Sequence, residues 1–269
     1  MPKSQPVTVK AGRKIRLKDF NPGHTGDFKD RVAAEAQLPG MLKKLSELSE
    51  KLYADNRYGL LIVLQGMDTA GKDGTVRKVM DGCSPLGTRV VPFKAPTEEE
   101  LEHDFLWRIH REAPRRGEVV IFNRSHYEDV LVVRVANLAP KKVWKKRYEM
   151  INDFESLLTR NRTIVLKFFL HISRDEQKRR LQERLQDPAK NWKFQPGDLK
   201  VRTQWDDYQA AYEDALSKCN TEEAPWHRIP ANNKWYRNWL IADILIRELK
   251  KLDLQFPKSP YDLTKVRVV

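Results

Sequence analysis

Between residues 66 and 73 the chain reads Gly-Met-Asp-Thr-Ala-Gly-Lys-Asp, after a short apolar run and ahead of a helical stretch. Two glycines separated by four residues, with a lysine after the second, let backbone N–H groups converge on phosphate oxygens. The backbone of Gly71, Lys72, Asp73 and Gly74 would form the cradle, helped by the positive potential of a helix N-terminus. Lys72 would place its ammonium on the terminal phosphates. The competing reading is an ordinary strand-to-helix turn with an exposed lysine. Two departures shape the chemistry. Asp73 stands where a Ser or Thr hydroxyl normally ligates Mg²⁺, and Asp68 puts a carboxylate inside the loop. That carboxylate is compatible with phosphate if Mg²⁺ lies between them, or else Asp68 caps the following helix.

A second group of candidates lies in Val119-Val120-Ile121-Phe122-Asn123-Arg124-Ser125-His126-Tyr127-Glu128-Asp129. The apolar residues read as a buried strand, and ligands of open α/β sheets bind beyond the C-terminal ends of strands. A carboxylate at that end would be the usual second Mg²⁺ anchor beside a phosphate loop. Here Asn123 holds the place, and Glu128 follows five residues later. Arg124 and Glu128 are four apart and would share a helical face, so a plain ion pair is the alternative reading. His126 is read as structural, because direct phosphoryl transfer needs no histidine. A third group, Arg174 to Arg184, places Arg180 and Arg184 on one side of a helix. Nucleoside monophosphate kinases build mobile lids from such arginines, whose guanidinium groups bind phosphate oxygens in pairs. A solvated charged helix is equally ordinary. The lid would cover about 174–196, with Trp192 and Phe194 near its tip. The run Lys141, Lys142, Lys145, Lys146, Arg147 reads as a solvated face.

These candidates need a scaffold, and the apolar rhythm supplies one. A helix is expected over 29–55, with Leu38, Leu42, Leu45, Leu48 and Leu52 on one face and Pro39 kinking or restarting it. That face could pack on its own body or on a second subunit, and a homo-oligomer is expected. Residues 60–65 read as a strand buried on both faces. Further strands are expected at 89–93, 119–122, 163–172 and 226–230. Helices are expected from about 71 and over 97–112, 127–136, 140–160, 174–186, 198–217 and 234–252. Alternation of this kind implies an α/β fold with a parallel sheet sandwiched by helices. Residues 1–27 form a basic arm with Lys3, Lys10, Arg13, Lys14, Arg16 and Lys18, expected to wrap the body or stay partly mobile. Residues 28–269 then read as a single domain.

Composition narrows the class. The 269 residues carry 50 Lys and Arg against 37 Asp and Glu, a formal charge of +13, which points to a polyanionic partner. Recurring apolar runs and seven tryptophans exclude general disorder. The longest unbroken apolar run, residues 60–64, is far short of the roughly 20 residues of a membrane span. No apolar core of a secretory signal is present, so a cytoplasmic location is expected, with no membrane partner. Cys83 and Cys219 cannot make a disulfide framework and read as packing residues. Aromatic residues do not alternate with basic ones along any expected strand, so no specific nucleic-acid module is legible.

Taken together, LQGMDTAGKDG at 64–74, PFKAPTEEELEHDFLWRIH at 92–110, FNRSHYEDVLVVRV at 122–135, EQKRRLQERLQDPAKNWKF at 176–194 and APWHRIPANNKWYRN at 224–238 resemble one family. It is the second family of polyphosphate kinases, and the resemblance runs in order over about residues 28–250. It implies a P-loop kinase-like fold, similar to thymidylate kinase, with a helical lid. It also implies Mg²⁺-dependent, reversible transfer of the terminal phosphoryl group of inorganic polyphosphate to a nucleotide, Mn²⁺ being a possible substitute ion. The version with FNRSHYED resembles the subgroup that phosphorylates both AMP and ADP. Many members carry an acidic residue where this chain has Asn123, and Glu128 is assigned that role here. On this reading Lys72 and Arg124 clamp the transferring phosphoryl group, Asp68 and Glu128 hold the metal, and Arg180 and Arg184 close from the lid. Base selectivity between adenine and guanine nucleotides depends on pocket shape and stays open. Rival readings are an ATP-dependent nucleoside or metabolite kinase, which predicts Ser or Thr at 73, and a basic nucleic-acid-binding protein.

Overall fold

The computed structural model describes residues 8–268; of the expected arm, residues 1–7 with Lys3 lie outside them. Five strands, β1 (Gly59–Gln65), β2 (Thr88–Pro92), β3 (Val119–Asn123), β4 (Thr163–His171) and β5 (Trp226–Pro230), form one sheet in the order β2-β3-β1-β4-β5. Every pairing in it is parallel. Parallel neighbours need crossovers, which the helices provide. These are α1 (Arg31–Asp55), α2 (Lys72–Val79), α3 (Glu98–Glu102), α4 (Trp107–His110), α5 (Val132–Val135), α6 (Lys141–Arg160), α7 (Arg174–Gln186), α8 (Pro196–Thr203), α9 (Trp205–Lys218) and α10 (Lys234–Lys250).

The central strand β1 is buried along its whole length, as its unbroken apolar composition requires. Its end lies beside Asn123 of β3 on one side and Phe169 of β4 on the other. The chain leaving β1 therefore emerges where the strand order reverses direction, the crevice in which open α/β sheets bind ligands. Leu45, Leu48 and Leu52 are buried where α1 packs along α10, so the leucine face of α1 is used on its own body. No restart occurs at Pro39, through which α1 is continuous.

Three expected helices are divided. Within 97–112, a Thr97–Glu100 capping box starts α3, but His103 is extended. The Asp104 carboxylate then accepts from the Leu106 N–H and α4 follows. Within 127–136 the chain makes a 3₁₀ turn at His126–Asp129 before the single turn of α5. Burial of His126 and Tyr127 overrides helical propensity there. Residues 196–218 split at Gln204, which ends α8 and starts α9. From Thr8 onward the arm wraps the body: Thr8 bridges His227, and Val9, Ile15 and Leu17 are buried. Both cysteines are buried and free, consistent with packing. Among the described residues, no helix is long and apolar enough to cross a membrane.

Candidate active site

The loop between β1 and α2 is shaped by its glycines. Gly66 and Gly71 have φ of 155° and 109°, outside the reach of most side chains. A Cβ at Gly66 would meet the Leu170 carbonyl oxygen at 2.7 Å, and one at Gly71 would overlap the guanidinium of Arg237. Lys72 folds back over the loop, its Nζ donating to the carbonyl oxygens of Gly66 at 2.6 Å and Met67 at 3.3 Å. Burial, aided by the nearby Arg124 charge, pushes its pKa down to about 8. The N-cap of α2 is Gly71, with no side-chain cap, so Asp68 does not cap the helix.

Asp68 instead meets Arg124. Arg124 Nη2 lies 2.9 Å from Asp68 Oδ1, and Arg124 Nη1 lies 3.7 Å from Glu128 Oε2. The ion pair of Arg124 and Glu128, the alternative reading of their spacing, is thus present, with a third member that the local spacing did not reveal. The Glu128 and Asp68 charges raise the pKa of Arg124. Arg124 adopts φ 64°, a left-handed conformation that is unfavourable for a non-glycine residue. Asn123 Nδ2 donates to Asp73 Oδ1 at 2.9 Å, and Lys193 Nζ stands 3.7 Å from Asp73 Oδ2. Burial raises the Asp73 carboxyl, but the Asn123 hydrogen bond and the charges of Lys193, Lys72 and Arg184 outweigh it and hold its pKa low.

The turn after Arg124 is anchored in the core. Gln65 at the end of β1 donates to Ser125 Oγ at 3.2 Å. His126 is fully buried, with Nε2 3.2 Å from Glu155 Oε1, which fits its structural reading. Tyr127 donates to the same oxygen at 2.8 Å. Lys167 of β4, also fully buried, gives its three protons to Glu155 Oε2 at 2.5 Å, the Tyr127 hydroxyl at 2.9 Å and the Cys219 carbonyl at 2.7 Å.

The two lid arginines are placed differently. Arg180 is buried and grips the loop backbone: Nη1 donates to Thr69 and Ala70, Nη2 to Ala231 and Asn232, and Nε to Glu176. Its donors are engaged, so in this structure it holds the phosphate loop instead of reaching over it. Gln177 adds a bond to the Asp68 carbonyl at 3.3 Å. Arg184 pairs with Asp198 at 3.2 Å and faces the cleft. Trp192 is 75% exposed at the cleft rim, under the Lys193 ammonium. Lys141, Lys142, Lys145 and Lys146 are exposed, as a solvated face should be, while Arg147 turns in to Asp129 at 2.7 Å.

Around the loop lies a cleft of about 580 Å³ walled by ten basic side chains against four carboxylates. A second cavity of about 740 Å³, walled by Phe93, Phe105, Val132 and Leu138 among others, shares Phe93, Lys94, Arg124 and Gln195 with it. Arg124 therefore stands at the junction of the two. Sequence reasoning assigned no role to Lys193, Asp198 and Arg237, which arrive at the cleft from distant elements, although Lys193 and Arg237 lie in segments that carry the resemblance.

The donor set fits a hard cation. Asp68 and Glu128 present carboxylate oxygens to the two terminal nitrogens of the same guanidinium, which balances both. Among the described residues no group of three or more ligating side chains is preassembled. Two such carboxylates are a donor set for an ion such as Mg²⁺, which is usually held by one or two carboxylates with substrate oxygens completing its shell.

A parallel sheet with a glycine-lysine loop at its switch point and an arginine-bearing helix clasping that loop defines a P-loop kinase-like protein. The chain belongs to the polyphosphate kinase 2 family, whose sequence model, Polyphosphate kinase 2 (PPK2), matches residues 29–257. It is 53% identical over 251 residues to the AMP/ADP-polyphosphate phosphotransferase of Meiothermus ruber, covering 93% of this chain and 94% of that one. It is 38% identical to the ADP-polyphosphate phosphotransferase of Rhodopseudomonas palustris, over 96% and 93% of the two chains. The crystal structure of Polyphosphate Kinase 2 from Arthrobacter aurescens TC1 superposes with a TM-score of 0.94 at 44% identity, covering 98% of this chain and 95% of that one.

Proposed function

We propose that this protein transfers the terminal phosphoryl group of inorganic polyphosphate to AMP and to ADP, giving ADP and ATP, with Mg²⁺. The observation that carries the reading is the cleft at the start of α2, where ten basic side chains oppose four carboxylates. A polymer with about one negative charge per phosphate requires such a channel. The names of the relatives support the same donor and acceptors. The cavity of about 740 Å³ on the other side of Arg124 is assigned to the acceptor nucleotide.

The mechanism follows from that placement. An oxygen of the acceptor's terminal phosphate attacks the end phosphorus of polyphosphate in line. A new P–O bond forms, the old P–O–P bridge breaks, and its electron pair leaves on the shortened polymer. The attacking oxygen is already deprotonated, so no strong general base is needed. Catalysis is positioning and charge neutralisation. Lys72 and Arg124 bind the oxygens of the transferring group, Arg124 leaving Asp68 to do so. The backbone N–H groups of Gly71 to Gly74 hold the donor, Arg180 keeps that loop rigid, and Arg184 approaches from the lid. Asp68 and Glu128 would hold Mg²⁺, or Mn²⁺ in its place, which neutralises phosphate charge when bound.

The test is chromatography of nucleotides after mixing protein, AMP, long-chain polyphosphate and Mg²⁺ without ATP. ADP should appear first and ATP later. Product from ADP alone would overturn the AMP assignment. No product with polyphosphate, but product once ATP is supplied as donor, would overturn the polyphosphate reading.

A further inference from the structure

Asp68, Arg124 and Glu128 also wall a smaller cavity, of about 190 Å³, to which α9 contributes Tyr208 and Tyr212. The two tyrosines are four positions apart and so share one face of that helix. They are only 6% and 5% exposed, and the Tyr212 ring packs on Phe169 of β4 with centroids 4.7 Å apart. Val132 and Val201 add apolar wall, so the polar side of the cavity is made largely by the two phenols and the charged trio.

The hydroxyls are the unusual feature. Among the described residues neither has a hydrogen-bond partner. Buried polar groups are almost always paired, and leaving one unpaired costs free energy. Phenylalanine would fill the same space without that cost. Burial, followed by the Glu128 charge, raises the pKa of both phenols, that of Tyr208 to about 12, so each stays a donor at neutral pH. The protein uses a phenol-to-carboxylate bond elsewhere, where Tyr127 donates to the buried Glu155 at 2.8 Å.

We propose that Tyr208 and Tyr212 are positioning residues for the Asp68–Glu128 carboxylate pair, donating to it once Arg124 turns to the transferring phosphoryl group. The proposal rests on the reading of these two carboxylates as metal ligands. In the ligand-free protein one guanidinium balances both of them. When Arg124 leaves, each carboxylate can give one oxygen to the cation, and its other oxygen needs a donor to fix its orientation. Such outer partners set ligand geometry and affinity in metal sites. The free hydroxyls of α9 lie in the cavity where that need arises, on a helix whose packing holds them in place.

The experiment uses Tyr208→Phe/Tyr212→Phe and each single variant, which keep the rings and lose only the hydroxyls. Mn²⁺ binding is read from the paramagnetic resonance signal of the free ion, beside the Mg²⁺ dependence of turnover and a melting curve. The double variant should raise the Mn²⁺ dissociation constant and the Mg²⁺ concentration for half-maximal activity about tenfold or more. Its KM for polyphosphate should stay within about twofold. Its melting temperature should be unchanged or higher, because the lost hydroxyls have no partner in the free protein. Metal binding as tight as in wild type, with or without a fall in melting temperature, would overturn the proposal and leave the tyrosines a packing role. Mn²⁺ bound equally by wild type and by Glu128→Gln would overturn the metal reading itself, and the proposal with it.

Discussion

Arg124 Nη2 lies 2.9 Å from Asp68 Oδ1, tying the end of β3 to the phosphate loop that follows β1. The two residues are 56 positions apart, and the pair exists because β1 and β3 are adjacent in register. It holds Arg124 where the cleft around the loop meets the second cavity. On the proposed mechanism, substrate binding exchanges one anion for another at this guanidinium. Glu128, 3.7 Å away, completes the set.

Removing the Glu128 charge separates its proposed metal role from a plain ion pair. Glu128→Gln should lower the rate tenfold or more, about 1.4 kcal/mol, and raise the Mg²⁺ concentration needed for half-maximal activity. A Mg²⁺ titration of both proteins checks this. An unchanged titration curve would assign the metal elsewhere.

Lys72 should set the alkaline limit of activity. Its pKa is lowered from 10.5 to about 8, chiefly by burial. The ammonium proposed to bind phosphate is therefore lost from the free enzyme as pH rises through about 8, and kcat/KM should fall over that range. For stability the sign is opposite. Between about 8 and 10.5 the unfolded chain binds more protons at this lysine than the folded one, so its contribution to stability rises with pH. Lys72→Met should abolish turnover yet raise the melting temperature at neutral pH, by about 1–2 kcal/mol of stability. A melting curve beside an activity assay tests both.

Arg180→Gln should act on the loop as a whole. Without the guanidinium, the carbonyl oxygens of Thr69, Ala231 and Asn232 lose these donors, and Ala70 keeps only its longer bond from Arg237. A stability loss of about 2–4 kcal/mol is expected, with a higher KM for polyphosphate. Denaturant unfolding and donor kinetics measure the two effects. Normal stability with impaired turnover would instead assign Arg180 to direct phosphate binding.

The buried Lys167–Glu155 pair predicts strong non-additivity. Lys167→Met leaves the buried Glu155 carboxylate without its ammonium partner, with only the His126 and Tyr127 contacts remaining, at a cost of about 3–5 kcal/mol. Adding Glu155→Leu should recover most of it. Burial raises the Glu155 carboxyl, but Lys167 and His126 more than offset this and its pKa falls below 4.5. Its stabilisation is therefore complete above about 4.5 and is lost as pH falls through the lower folded value. Acid unfolding of wild type against the double variant reads this directly.

Local pattern determined much of this protein. The apolar run before Gly66, the loop spacing and the strand ending at Asn123 specified a parallel α/β sheet with a phosphate loop at its ligand edge. Short-range physics suffices there, because strand burial and glycine geometry are encoded within a few neighbouring residues. Tertiary structure decided what those residues face. Asp68 reads locally as a metal ligand or a helix cap, and strand adjacency gives it Arg124. Arg180 reads as a mobile lid arginine, and the packing of α7 against the loop turns it into a clamp. Residues 97–112 carry a helical pattern that Asp104 interrupts, and 127–136 carry one that the burial of His126 and Tyr127 breaks into shorter turns. Arg237 lies in a segment that carries the family resemblance, but no spacing around it shows what it does, since it fills the space left by two glycines 166 and 163 positions earlier. Charge pairing and burial act through space, between segments that only the fold brings together, and no periodicity along the chain encodes them.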